Sequence, residues 1–249
     1  MNDSDATKGI WRRAMKAGFY KFILFFFLLP VLAWAEPRCG TLGNAVIRFD
    51  SKYLFFPITY EGVNYWSGKG KINEGKGCSD KINEVAFAVN WPSLEPSGGE
   101  NYYTRPKPNR IAVVAKINKS NDVARSRKNI LYRYLRDGFN SEGPAKTDQQ
   151  VEEMRGFNSD LGLFEATPKN IDGGTVRKVF WQETSQGDIG LIVNCIVFSE
   201  GRGSSCEQSS YDPQDDIWIE LDYMVDIVHQ WRDLESAAVA FVRGFQLNN

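Results

Sequence analysis

The chain has 249 residues, with 30 Lys and Arg against 31 Asp and Glu. That near-neutral balance argues against a dedicated nucleic-acid binder, which needs a net basic face. The 7 Trp and 16 Phe supply ample bulk for a core, and a single His is too few for a histidine-based zinc site.

Residues 1–35 read as an export signal. Arg12, Arg13, Lys16 and Lys21 precede an apolar run from Phe22 to Leu32, and Ala33-Trp34-Ala35 forms an A-x-A cleavage pattern ahead of Glu36. A membrane anchor would need roughly twenty apolar residues, and Pro30 interrupts this shorter run. The segment before it is long for a signal peptide, which makes Met15 an alternative start. Arg38 stands where lipidation of Cys39 would want a small residue. The expected product is one periplasmic domain, residues 36–249, that meets the membrane only during export.

Two short aromatic and β-branched runs follow, Ala45–Phe49 and Tyr53–Pro57, split by Asp50-Ser51. Both read as strands around a tight turn. From Gly62 to Gly77 the composition is that of an exposed loop, with Tyr65 and Trp66 embedded in it. Asn83–Trp91 alternates, with Val85, Phe87, Val89 and Trp91 on one face, and Pro92 ends it. A Pro-rich loop to Pro108 precedes a second alternating run, Arg110–Asn118. The period then lengthens to that of a helix over Val123–Arg136, with Gly138 as its stop. Phe139 to Phe157 is polar and shows no clear element. Strand composition returns at Gly162–Ala166, Thr175–Gln182 and Ile189–Phe198, and again at Ile217–Asp222.

The clearest periodicity closes the chain. Ile227, Trp231, Leu234, Ala238, Phe241 and Phe245 recur at steps of four and three, which places them on one helical face. Arg232, Asp233, Ser236, Arg243 and the lone His229 fall on the wet side. An apolar stripe of this width must be buried, and the preceding strands are its nearest cover. Helical stretches rarely separate consecutive strands, so the expected class is α+β: an antiparallel sheet covered by a C-terminal amphipathic helix.

All four cysteines lie beyond the export segment, as a disulfide framework in an oxidising compartment would have them. Of the three possible pairings, Cys39–Cys78 with Cys195–Cys206 is favoured. The second bridge closes a short loop containing Gly201, Gly203, Ser204 and Ser205, a constraint worth about 3 kcal/mol in the chain-entropy model. Four-thiolate zinc sites want closer pairs than these.

No constellation of catalytic residues stands out. There is no G-x-S-x-G elbow and no Gly-rich phosphate loop before a helix, so no cofactor is implied. Carboxylates remain: Glu207, Asp212, Asp215 and Asp216 crowd between Cys206 and Ile217 without the alternation of a calcium loop. They read as a solvated loop, as a glycosidase-like pair, or as the acidic part of a protein-binding patch. Trp218 faces away from Ile217, Ile219 and Leu221, so it either presents an aromatic anchor beside that loop or packs beneath a neighbouring element. Glu207, Asp215, Asp216 and Trp218 are the candidate partner-binding residues. Tyr65-Trp66 and Tyr102-Tyr103 admit a carbohydrate-stacking alternative.

Several pieces together carry a resemblance. They are the strand ending Trp91-Pro92 with Leu94 and Pro96, the Gly190-Leu191 strand, the Cys195 to Ser205-Cys206 loop, and the helix carrying Trp231-Arg232-Asp233-Leu234. In these the chain resembles small exported bacterial proteins of type VI secretion loci, some of them periplasmic immunity proteins. The resemblance implies a Gram-negative periplasmic protein that binds and neutralises a toxic effector, and the lack of a catalytic constellation reads as no enzyme. The reading from another class is a secreted carboxylate-dependent hydrolase, or a carbohydrate-binding protein, acting at the cell envelope.

Overall fold

The computed structural model describes residues 38–63, 75–98, 108–138, 141–169, 174–199 and 203–247. The export segment, Tyr65-Trp66 and Tyr102-Tyr103 lie outside them. A hairpin opens the described chain, β1 (Arg38–Leu42) and β2 (Ala45–Phe49), followed by a 3-10 turn at Ser51–Tyr53. Next come β3 (Thr59–Tyr60), β4 (Ile82–Asn90), β5 (Glu95–Pro96) and β6 (Arg110–Ile117). Two helices follow, α1 (Val123–Tyr134) and α2 (Asp148–Met154). The chain then lays down β7 (Gly156–Asn158), β8 (Leu163–Ala166), β9 (Thr175–Glu183), β10 (Ile189–Phe198), β11 (Ser205–Asp212) and β12 (Ile217–Met224). A 3-10 segment, Val225–Gln230, leads into α3 (Trp231–Arg243).

The main sheet has ten strands in the order β3-β4-β6-β12-β11-β10-β9-β8-β7, with β5 paired to β4. Every pairing is antiparallel. The fold is therefore α+β, with α3 on the sheet. After β6 the chain crosses through α1 and α2 to the far edge, then winds back hairpin by hairpin until β12 lies against β6.

Alternation along the strands builds two cores. Val85, Phe87, Val113, Ala115, Ile219, Leu221 and Val193 point to one face, where they meet Leu42, Ile47 and Phe49 of the hairpin and Trp231, Leu234, Ala238 and Val242 of α3. The opposite face carries Val179, Trp181 and Ile192, which pack under Leu131, Tyr134 and Leu135 of α1 and Val151 of α2. The expectation of a sheet covered by the C-terminal helix holds, but the other face is covered too.

The differences have local causes. Tyr53–Pro57 is not a strand: the Asp50 side chain accepts from the Lys52 amide and winds Ser51–Tyr53 into a 3-10 turn. The polar stretch after Phe139 contains α2, whose Thr147 and Gln150 form a reciprocal capping box. With only Val151 buried in seven residues, that helix has too few apolar positions to show a period. The segment between Cys206 and the Ile217 strand is not a loop but β11, closed by a turn at residues 213–216. Ile227 belongs to the 3-10 segment ahead of α3, and Arg243 is drawn off the wet face into an ion pair.

Disulfides join Cys39 to Cys78 and Cys195 to Cys206. The second links directly opposed residues of β10 and β11 at the base of the hairpin loop.

Candidate functional site

The β11–β12 turn separates the acidic residues that sequence proximity had grouped. Asp212 and Asp215 are buried, at 6% and 5% exposure. Arg243 holds both oxygens of Asp212 at 2.8 Å and donates from Nε to Asp215 at 3.1 Å. Gln246 also donates to Asp215, and the backbone amide of Asn44 donates to the Asp215 carbonyl. Gly43 closes this junction. Its φ is +56°, and an added Cβ would lie 1.9 Å from the Asp215 carbonyl oxygen, so only glycine fits there. Asp215 is thus a structural knot and not a solvent-facing charge, which corrects its expected place in an exposed acidic loop.

Asp216 turns the other way. It sits at φ +54°, a left-handed conformation that Asp tolerates better than most residues. Its carboxylate accepts from the Tyr211 hydroxyl at 2.6 Å and from Asn118 Nδ2 at 3.0 Å. The bond to Asp216, with burial, holds the Tyr211 hydroxyl in its protonated form and raises its pKa. Asn118 Oδ1 in turn accepts from the Trp218 indole at 3.3 Å. Tyr211 and Trp218 are cross-strand partners with ring centroids 5.5 Å apart. From α1 the Arg127 guanidinium lies over both rings, 5.4 Å from Tyr211 and 5.9 Å from Trp218. It is fixed there by donating to the Ile189 carbonyl at 2.8 Å. Desolvation lowers its pKa.

Trp218 is half-buried and lines a cleft of about 650 Å³ between α1 and strands β4, β6 and β12. Ser126, Asn129 and Ile130 form the helical wall, with Glu84, Lys116 and Asn118 facing them from the sheet. Lys116 is ion-paired to Glu220 and lies 3.6 Å from Glu84. Burial pulls its pKa down, but the carboxylates outweigh that and leave it raised.

Further along the same sheet face, Glu207 and Asp222 are directly opposed on β11 and β12. Glu207 is half-buried under α1, where Tyr134 hydrogen-bonds to it. Burial first, then the Glu220 charge, raises its pKa. Asp222 is pushed up to about 7 by burial, with Glu207 and Glu220 adding to the effect. Such a row of carboxyls can hold a proton near neutrality, or complement a cation. Among the described residues no group of His, Cys, Asp and Glu is arranged to hold a metal ion.

Of the four expected partner-binding residues, Trp218 and Asp216 are therefore brought together through Asn118. Glu207 lies further under α1, and Asp215 is on the opposite side of the turn. Sequence reasoning missed Tyr211, Arg127 and Lys116. Tyr211 could have been found had Ser205–Asp212 been read as a strand, since Glu207, Ser209 and Tyr211 alternate with Cys206, Gln208 and Ser210. His229 is exposed, with the Gln230 side-chain amide 3.2 Å from its Nε2.

A second cleft, of about 480 Å³, lies on the other flank of α1. Among its charged side chains, Lys128 pairs with Asp148, and Arg155 with Glu152 and Glu183.

No protein-family model and no curated protein sequence matches the chain. The chain is similar to two solved structures. One is Smlt3025, an immunity protein of the Stenotrophomonas maltophilia type IV secretion system. It is 14% identical with a TM-score of 0.53, over 85% of this chain and 94% of that one. The other is the iron-regulated outer membrane lipoprotein FrpD of Neisseria meningitidis, 9% identical with a TM-score of 0.41, over 83% and 92%. The first likeness extends through nearly the whole of both chains and establishes a shared fold.

Proposed function

We propose that this chain is a periplasmic immunity protein that binds and neutralises a toxic effector of a bacterial secretion system. The observation that carries the reading is the Trp218 patch. An aromatic ring is held at the lip of a cleft by Tyr211, Arg127 and Asn118, so it is ordered before any partner arrives. Pre-ordered aromatic anchors ringed by polar groups are what protein interfaces concentrate their binding energy on, because little freedom is lost on contact. The fold shared with Smlt3025 supports the same reading, as does the two-disulfide framework, which suits an oxidising compartment. The sequence resemblance points to a type VI locus as the effector's source, whereas the structural relative serves a type IV system. The mode of delivery does not alter the binding task.

The test is protection. A susceptible Gram-negative host receives a toxic secretion-system effector, taken from the genes flanking that of this chain where one is found, directed to the periplasm, with and without the exported chain. Restored growth and a co-purifying complex are expected. Continued killing while the folded chain accumulates in the periplasm would refute the proposal.

One observation favours a second reading. Asp222 keeps a proton up to about pH 7 beside other carboxyls, as the acid of a hydrolase must. Release of reducing sugars from purified cell wall by the wild type, and not by Asp222→Asn, would establish it.

A further inference from the structure

The sheet ends at β7, an edge that is short and flanked by acidic residues but carries an exposed aromatic ring on its outermost strand. Proteins commonly blunt the outer strand of a sheet with charge, proline or a covering element. β7 is short, but its central residue, Phe157, is 62% exposed, the most exposed large hydrophobic among the described residues. Phe157 does not stand alone. It opposes Phe164 on β8, which opposes Trp181 on β9, which opposes Ile192 on β10. The rings of Phe157 and Phe164 meet edge to face at 5.7 Å, and Phe164 lies 5.9 Å from Trp181. An apolar row thus runs from beneath the helices out to the last strand and ends in solvent.

The surroundings are acidic. Glu152 and Glu153 on α2 and Asp160 after β7 are exposed, and Glu165 lies opposite Gly156 on β8. Two cations lie near this edge. Arg155 is spent, its guanidinium 3.6 Å over the Phe164 ring and bonded to Glu152 and Glu183. Arg232 reaches Gly162 of the β7–β8 turn while stacking on the Trp231 ring, so the exposed carboxylates still outnumber the cations. A second copy of this chain paired edge to edge would bring these carboxylates against their own images, which costs energy instead of supplying it.

We infer that the β7 edge is a docking surface for an extended, basic segment of a partner protein. The segment adds as a strand beside Gly156–Asn158, lays an apolar side chain on Phe157, and sets Lys or Arg against Glu153 and Asp160. Backbone hydrogen bonds give such strand addition its affinity, and alternate side chains give it selectivity. The inference rests on the proposed immunity function only for the partner's identity, the effector; the chemistry of the edge stands without it.

The probe is a fluorescein-labelled octapeptide of alternating Lys and Val, with an alternating Glu-Val octapeptide as control, titrated into the purified exported chain and read by anisotropy. Saturable binding of the Lys-Val peptide alone is expected. Phe157→Ser should weaken it roughly ten-fold, equivalent to about 1.4 kcal/mol, and Glu153→Lys/Asp160→Lys should weaken it with loss of its salt dependence. Both variants alter exposed side chains, and circular dichroism checks that they stay folded. Hydrogen exchange should slow at the β7 amides on peptide addition. No saturable binding, or unchanged affinity in both variants, overturns the inference. So does concentration-dependent self-association that Phe157→Ser abolishes, since the occupant is then a second copy. The protection assay is read separately. A chain that protects cells but ignores the peptide loses this edge and keeps its function, and one that binds the peptide but protects nothing does the reverse.

Discussion

Arg243, in the last turn of α3, clasps both carboxylate oxygens of Asp212 at 2.8 Å, tying the end of the chain to the end of β11. The same guanidinium bonds Asp215 two residues into the following turn, so one cation holds two buried acids. Taking that cation away leaves two carboxylates buried without their charge partner, which costs more than the pair itself contributes. Arg243→Ala should therefore destabilise the chain by about 2–3 kcal/mol, below the 3–5 typical of fully buried pairs because the arginine is itself a third exposed. Urea unfolding followed by tryptophan fluorescence measures it. A loss under about 0.5 kcal/mol, the range of ordinary surface changes, would show the pairs to be solvated.

That relationship also shows where sequence reading stops. The strands Ala45–Phe49, Arg110–Ile117 and Ile189–Phe198 were legible because apolar and β-branched residues dominate them, whether one face is buried, as in the first, or both, as in the last, where residues 191–195 are all buried. β11 was not, since its buried positions, Gln208, Ser210 and Asp212, are polar and satisfied by distant groups such as Arg243 and the Tyr223 hydroxyl. Polarity that a fold neutralises at long range looks like a loop in one dimension. For the same reason Asp215 and Asp216, adjacent in sequence, were read as one charged feature, although the turn sends them to opposite sides. Trp218 was placed correctly by alternation alone; the stack that holds it needed three dimensions.

The apolar stripe of α3 gives a second expectation. Phe241 meets Tyr53 at 5.6 Å, Phe87 at 5.4 Å and Phe245 at 4.9 Å, each edge to face. Phe241→Ala empties the centre of that aromatic group and should cost about 3 kcal/mol, at the low end for buried aromatics because the ring is partly exposed. His229→Ala, on the exposed side of the preceding turn, should lie within about 0.5 kcal/mol of wild type. Equal effects from the two substitutions would mean that the helix is packed in another phase.

Asp222 makes stability depend on pH in a stated direction. Burial pushes its carboxyl up to about 7 in the folded chain, from an ordinary value of 3.8. Between those two values the folded chain keeps the proton while the unfolded chain has released it, so stability falls as pH rises, and the loss is complete above about pH 7. Asp222→Asn cannot ionise. Relative to wild type it should be about neutral near pH 4 and more stable by up to about 4 kcal/mol near pH 8, since each tenfold in proton affinity is worth about 1.4 kcal/mol. Chemical denaturation of both proteins at the two pH values tests this. Parallel pH profiles would mean that Asp222 titrates like an ordinary surface carboxylate.

The proposed interface predicts a division of labour between Trp218 and the charges at its cleft. Trp218 is held by the Asn118 side-chain carbonyl, the Tyr211 ring and the Arg127 guanidinium, so replacing it removes contact area already ordered before binding. In the complex, that loss should show as faster dissociation and a penalty of about 2 kcal/mol or more. Glu84 lies at the rim, with its side chain 44% exposed and only a 3.6 Å approach to Lys116. A rim charge acts over distance during the encounter, so Glu84→Lys should slow association and change its salt dependence while leaving dissociation nearly untouched. Asp216 is the wrong residue for that experiment, because its carboxylate holds Tyr211 and Asn118 and its loss would disturb the stack itself. Surface plasmon resonance with the effector captured, at two ionic strengths, separates the two rates. If Trp218→Ala stays folded and dissociates no faster than wild type, the effector binds elsewhere on the chain, and the stack serves only to join α1 to the sheet.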